Sequence, residues 1–278
     1  MQSEIITLRE SRLDIRDGIA EFTHTQPRRR NPLSLALRED YMDMLDYVEG
    51  DASIRALIIT GADGVFSAGG DLRGMKDRVD NPQAPQNMPD ATRRRVLVLH
   101  QWVSRLRDLQ VPVIAAVDGP AVGAGMGLAL VADFVLASSC AFFGMSFAKV
   151  GMVPDMAAAY FLPRVVGMAT AKDMMLTARR ISVEEAKNVG IVHSIYPPET
   201  LMEQARQFAR RFLDGPGPTL GMTKRMLNSA FESSYAAFVE LESNAQAVAT
   251  TTPFHRDALQ RFIAGEPGRF DWDRVAAK

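Results

Sequence analysis

The chain has 278 residues, 47% of them hydrophobic and 23% charged, which excludes a disordered or low-complexity protein and predicts one large buried core or two smaller ones. Lys and Arg number 32 and Asp and Glu 33, so a net charge of −1 gives no sign of a nucleic-acid or membrane-surface binder. The single cysteine, Cys140, excludes an internal disulfide and a cysteine-held zinc, and fits a reducing, cytoplasmic setting.

In chain order, the first segment carries Glu4 and Glu10 and lacks the apolar run of a signal peptide. Residues 4–10, 12–16 and 18–24 read as short strands, with Asp17-Gly18 as a turn. From Pro32 to Glu49 the spacing of Leu35, Leu37, Tyr41, Leu45 and Val48 predicts a helix. The run RALIITG after it suits a strand buried on both faces, and helix followed by buried strand is an α/β signature. Residues 78–92 hold three prolines and predict a mobile loop. Val96, Leu99, Val103 and Leu106 mark a helix over 92–108. VPVIAAVDG is a second buried strand, residues 124–132 a small-residue helix and DFVLAS a third strand. The uncharged stretch between Asp118 and Asp133 is shorter than the ~20 residues of a spanning helix. Ser182 with Glu185 three residues on begins a short helix that Gly190 stops, and IVHSIYP is a strand. After Glu199 only helical segments follow, so the expected division is an α/β domain over 1–198 and a helical domain over 199–278.

Three segments carry candidate chemistry. GVFSAGGDLRGM follows the first buried strand; its glycines would let a backbone N–H near Ala68 face a ligand, or the segment is an ordinary strand–helix link with Asp71 as N-cap. VDGPAVGAGMGLAL follows the second buried strand. Its glycines do not have dinucleotide-binding spacing and no Gly-Lys-Ser/Thr follows, so it offers a helix N-terminus with free N–H groups, or close packing through small residues. Taken together, the two segments can supply two converging donors, an oxyanion hole for an enolate or tetrahedral oxyanion formed from a carbonyl. In FAKVGMVPDMAAAYFLPRVVG, Asp155 is either a helix N-cap or a carboxylate desolvated among Met152, Val153, Met156 and Phe161, its pKa raised toward that of a general base. Arg28-Arg29-Arg30 in a Pro27–Pro32 turn suits a phosphorylated ligand. His24, His100, His193 and His255 lack partner spacing and read as structural or surface residues, and Cys140 as inert core.

PRRRNPLS, RALIITGADGVFSAGGDL, VPVIAAVDGPAVGAGMGLALVADF and FAKVGMVPDMAAAYFLPRVVG, in this order, resemble the crotonase superfamily, the enoyl-CoA hydratase/isomerase family, over about residues 4–270. The resemblance implies a spiral of ββα units with a C-terminal helical region that builds homotrimers or homohexamers. It implies an acyl-CoA substrate, no separate cofactor and no metal. Its motif positions assign the oxyanion hole to the N–H groups of Ala68 and Ala124. Arg28 and Arg30 would meet the CoA phosphates and adenine, with Ser67, Gly70, Asp71, Leu72, Gly125 and Phe147 as further substrate contacts. The two glutamates of family hydratases correspond to Gly127 and Phe147, neither of which can move a proton. Asp155 falls where some family isomerases and a dehalogenase carry their aspartate. The expectation is therefore an enoyl-CoA isomerase with Asp155 as acid/base. The alternatives are a hydratase, dehalogenase or thioesterase using Asp155, and a non-catalytic CoA-thioester binder.

Overall fold

The computed structural model describes residues 4–272. Strands β1 (Glu4–Thr7), β2 (Ser11–Arg16) and β3 (Ile19–His24) form an antiparallel meander. Asp17 and Gly18 both have positive φ, which is what a two-residue hairpin turn demands. Helix α1 (Leu35–Gly50) starts at Ser34, whose Oγ accepts the Leu37 N–H at 3.1 Å. Strand β4 (Ala56–Gly61) pairs in parallel with β3. Helices α2 (Leu72–Asp80) and α3 (Pro89–Asp108) lead to β5 (Val113–Val117) beside β4. Next come β6 (Pro120–Val122), α4 (Ala124–Val131), β7 (Phe134–Ser138) and β8 (Phe142–Gly144). Then follow α5 (Ala158–Thr177), β9 (Arg180–Ser182), α6 (Val183–Asn188) and β10 (Ser194–Tyr196).

The strands fall into two sheets. The large one has the order β1-β2-β3-β4-β5-β7-β10 and the small one β6-β8-β9. From β3 onward the large sheet is parallel. The first five strands all lie in the large sheet; the chain then crosses to the small sheet at β6, returns at β7, crosses again for β8 and β9 and returns at β10. This mixed α/β spiral is the fold that the sequence motifs imply.

Alternation along β4 and β5 explains their continuous apolar runs. Leu57, Ile59, Val113, Ala115 and Val117 enter the main core, with α1, α3 and α4. Ala56, Ile58, Ile114 and Ala116 point the other way, into a second core. Helix α7 (Leu201–Arg210) covers that second face through Leu201, Ala205, Phe208 and Ala209. Phe208 and Phe212 are therefore buried within the chain against the sheet and are not free for contacts with neighbouring subunits. The helices α8 (Gly217–Ser229), α9 (Tyr235–Ala249) and α10 (Pro253–Ala264) behave differently. Phe231 is 77% exposed and Phe262 84%.

Other expectations change. The three strands of the small sheet have three residues each, too short to leave a periodic signal. The segment 78–92 is largely helical: α2 runs to Asp80, a 3₁₀ turn spans Pro85–Asn87 and α3 begins at Pro89, where a missing N–H costs nothing. Cys140 is exposed just past β7, not in the core. Ser182 caps α6 as expected, its Oγ accepting the Glu185 N–H at 3.2 Å. Among the described residues no helix is long and apolar enough to cross a membrane, and no cluster of three or more His, Cys, Asp or Glu side chains could hold a metal ion.

Candidate active site

The site lies at the seam where the segment after β4 runs between the basic turn and β6. That segment is stitched on both edges. Phe66 and Ser67 donate their N–H groups to the Asp118 and Pro120 carbonyls, and Val122 N–H donates to the Ser67 carbonyl at 3.1 Å. On the other side Ala68 N–H donates to the Arg30 carbonyl at 2.9 Å, and Leu33 N–H to the Gly69 carbonyl at 2.8 Å. Ser67 is wholly buried; its Oγ donates to the Asn31 carbonyl at 2.8 Å and accepts the Gly69 N–H at 3.2 Å.

This stitching corrects two assignments. The Ala68 N–H is spent on Arg30 and is no free donor. With the Gly69 N–H on Ser67 Oγ, the next N–H along the segment, that of Gly70, makes no hydrogen bond among the described residues and is the nearest donor that can replace it. Ser67 cannot line a ligand path, since its hydroxyl is locked inside the loop. Gly69, at φ +95°, makes the close approach possible: a Cβ there would lie 2.5 Å from the Val122 carbonyl oxygen and 3.1 Å from the Ala124 nitrogen.

Helix α4 supplies the second donor. Gly123, also at positive φ, precedes the helix. The first N–H to close back onto the chain is that of Gly127, on the Gly123 carbonyl at 3.0 Å. The N–H of Ala124 is thus left open at the positive end of the helix, as the sequence predicts. Gly125 is not a ligand contact: it is buried, and a Cβ would meet the Ser67 carbonyl oxygen at 2.4 Å. Its smallness lets the helix press against the segment that carries Gly70.

Asp155 comes from the turn before α5. Helix α5 has Ala157 at its N-cap and no side-chain cap, so the capping reading of Asp155 fails. Met156 and Ala157 both hold left-handed backbone, φ 56° and 52°, an arrangement costly for residues with side chains. The strained turn sends Met156 into the core against α4, where a Cβ on Gly127 would lie 2.6 Å from the Met156 Cβ. Asp155 is therefore held beside the first turn of α4. Its Oδ1 is buried and has no hydrogen-bond partner. Burial pushes the carboxyl pKa up, while the charges of Arg38 and His100 oppose that shift.

Arg38, on α1, and His100, on α3, are members of the site that the sequence alone does not reveal, since His100 reads there as a structural or surface histidine. One signal was available for Arg38: it sits one turn before Tyr41 on the helix face that carries the core residues. Phe147 is buried, with its ring edge 3.9 Å from where a Gly123 Cβ would be, so it walls the same space. His24 is structural as read: Nε2 bonds the Tyr41 hydroxyl at 2.8 Å, Nδ1 reaches the Phe66 carbonyl, and burial lowers its pKa to about 4, so it stays neutral.

At the outer end, the three arginines of the basic turn divide. Arg29 pairs with Glu10 at 2.9 Å and Asp71 at 3.6 Å. Arg28 and Arg30 are exposed and have no ion-pair partner among the described residues. Asp71 also accepts the Arg73 N–H at 3.1 Å, capping α2, and Leu72 beside it is 67% exposed. The site thus has an open cationic end, two backbone donors at its waist and a desolvated carboxyl beyond them. That arrangement can hold an anionic cofactor tail, stabilise an oxyanion and move one proton.

Comparison with known proteins shows which family the chain belongs to. A family model described as enoyl-CoA hydratase/isomerase matches residues 14–274. The 1,2-epoxyphenylacetyl-CoA isomerase of Escherichia coli (strain K12) is 34% identical over 256 residues, covering 92% of this chain and 96% of its own. A 4-chlorobenzoyl coenzyme A dehalogenase of an Arthrobacter species is 27% identical over 90% of this chain and 89% of its own. The crystal structure of an enoyl-CoA hydratase/isomerase from Cupriavidus metallidurans CH34 superposes with a TM-score of 0.89 at 33% identity, covering 95% of this chain and 97% of that one. With nearly the whole chain matched in sequence and in fold, this protein belongs to the enoyl-CoA hydratase/isomerase family.

Proposed function

We propose that the protein isomerises an unsaturated acyl-CoA, with Asp155 as the single acid/base. The observation that carries this reading is the buried, unpartnered Oδ1 of Asp155, held beside α4 by a strained turn that gives the carboxyl no capping work. The carboxylate removes a proton from the carbon next to the thioester carbonyl. The electron pair moves onto the thioester oxygen, which the N–H groups of Ala124 and Gly70 hold as an enolate. The proton then returns at the far carbon of the allylic system, the double bond shifts and the carboxylate is regenerated. Exposed Arg28 and Arg30 bind the CoA phosphates, with Asp71 and Leu72 beside them.

Hydration is disfavoured because the positions of the two hydratase glutamates hold Gly127 and Phe147. Neither side chain can position or deprotonate a second-site water. The test offers the enzyme a 3-enoyl-CoA and crotonyl-CoA. Conversion of the first to its 2-enoyl isomer, with little water addition to the second, is expected. Hydration of crotonyl-CoA as the main reaction would refute the reading. The resemblance to the dehalogenase keeps nucleophilic use of Asp155 as the second reading, and a covalent acyl-chain adduct on Asp155, seen by mass spectrometry, would favour it.

A further inference from the structure

Three half-buried arginines, Arg38, Arg78 and Arg95, gather at the inner end of the site, and none has an ion-pair partner among the described residues. Helices α1 and α3 run in the same direction: Tyr41 stacks on Trp102 with ring centroids 4.4 Å apart, and farther along Arg105 reaches Asp46 and Glu49, each at 2.7 Å. At 1.5 Å of rise per residue, Arg38 lies about 5 Å before Tyr41 and Arg95 about 10 Å before Trp102. Both therefore project at the same end of the helix pair, and Arg78, in the last turn of α2, lies close enough for its charge to act on both. The three charges sense one another: the neighbouring cations of Arg78 and Arg95 act against that of Arg38, and Asp155 and Asp71 act in its favour.

The neutralisation is incomplete. Arg38 bonds only the Leu33 carbonyl, through Nε at 3.2 Å. Arg95 is turned to the Gln86 carbonyl and to Thr92 Oγ1, both neutral. Arg78 has no hydrogen bond or ion pair among the described residues. Asp71 is already paired with Arg29. Asp155 acts on Arg38 through space, yet the two make no ion pair within 4 Å, and Asp155 Oδ1 stays without a partner. Half-buried cations gathered this way repel one another and lose hydration, which is unfavourable unless an anion completes the group.

We propose that this cluster is the subsite for a carboxylate at the far end of the acyl chain, so that the substrate is the CoA thioester of a dicarboxylic acid. The assignment rests on the reading of the site as an acyl-CoA site. It divides the cationic residues by position: Arg28 and Arg30 take the CoA phosphates outside, while Arg38, Arg78 and Arg95 take the acyl carboxylate inside. It also explains why Arg38 stands near Asp155 without touching it, since the acyl chain must pass between them.

Binding of unreactive saturated thioesters tests this without turnover. Calorimetry compares glutaryl-CoA with pentanoyl-CoA, and adipyl-CoA with hexanoyl-CoA, so that chain length and the CoA contribution cancel within each pair. The carboxylated member of at least one pair should bind about 10- to 100-fold tighter, the range of a charge-assisted hydrogen bond. Arg95→Gln and Arg38→Gln should each reduce that ratio by about 10-fold. Equal affinity within both pairs overturns the proposal while leaving the acyl-CoA site standing. Equal weakening of both members of a pair by the substitutions also overturns it, because the arginines would then serve the CoA phosphates. If no thioester binds, the acyl-CoA reading itself fails and this proposal falls with it.

Discussion

Replacing Asp155 by asparagine preserves the size of the side chain and removes one negative charge. In the proposed reaction that charge is the base, so turnover of a 3-enoyl-CoA should fall by about 10²- to 10⁴-fold, a rise of ~2.7–5.5 kcal/mol in the barrier. Binding should change little, because the Ala124 and Gly70 donors and the outer arginines are untouched. The pH dependence follows from the same burial. Desolvation raises the Asp155 pKa above the ordinary 3.8, so activity of the native enzyme should fall as pH drops through that raised value and protonates the base. The residual activity of Asp155→Asn should lack this limb.

Stability should move in the opposite direction. A carboxyl whose pKa is raised by folding binds its proton more tightly in the native state. Its stabilising effect is complete below the unfolded pKa and is lost as pH rises through the folded one, at about 1.4 kcal/mol per pKa unit. Near neutral pH the charged Asp155 is therefore a burden, and Asp155→Asn should raise Tm there but not at pH 3. Deuterium incorporation at the α-carbon, followed by NMR in D₂O, reports the proton transfer directly. Full turnover in Asp155→Asn would refute the mechanism. An unchanged Tm at neutral pH would refute the account of the burial.

Other outcomes follow from the same geometry. Gly127→Glu should not create a hydratase: its Cβ would lie 2.6 Å from that of Met156, so the turn bearing Asp155 must shift. Isomerisation should drop at least 10-fold, and gain of crotonyl-CoA hydration would show that the turn yields freely. Charge reversal at Arg28 and Arg30 should weaken CoA binding several-fold at low salt and flatten its salt dependence, since both are exposed and screened. Unchanged titrations would remove them from the site. Phe231→Asp with Phe262→Asp should shift a trimer or hexamer toward monomer in light scattering, because both rings stand in solvent on an isolated chain. An unaltered mass would place the subunit contacts elsewhere. Deleting everything after residue 198 is no test of assembly, because α7 covers one face of the large sheet and its loss would expose the second core.

The local sequence was enough to locate most of the large elements. RALIITG and VPVIAAVDG are apolar at every step because alternate side chains enter different cores, so the run itself reveals a strand covered on both sides. Ser182 and Glu185 announced α6 because a cap is a contact between near neighbours. The open N–H of Ala124 was legible for the same reason: a helix N-terminus after a glycine turn leaves its donors free whatever surrounds it. What the sequence could not decide was which groups were already spent. Ala68 and Gly70 look equally available in SAGGD, and only the approach of Arg30, far away in the chain, consumes the first. Asp155 reads as a cap or as a base until α5 is seen to start without it. Arg38 and His100 act on Asp155, and Arg78 and Arg95 gather with Arg38, from three helices with no common spacing; they come together only because the fold brings α1, α2 and α3 to one end of the site. Contacts of that range depend on how layers pack, and packing is set by the whole chain.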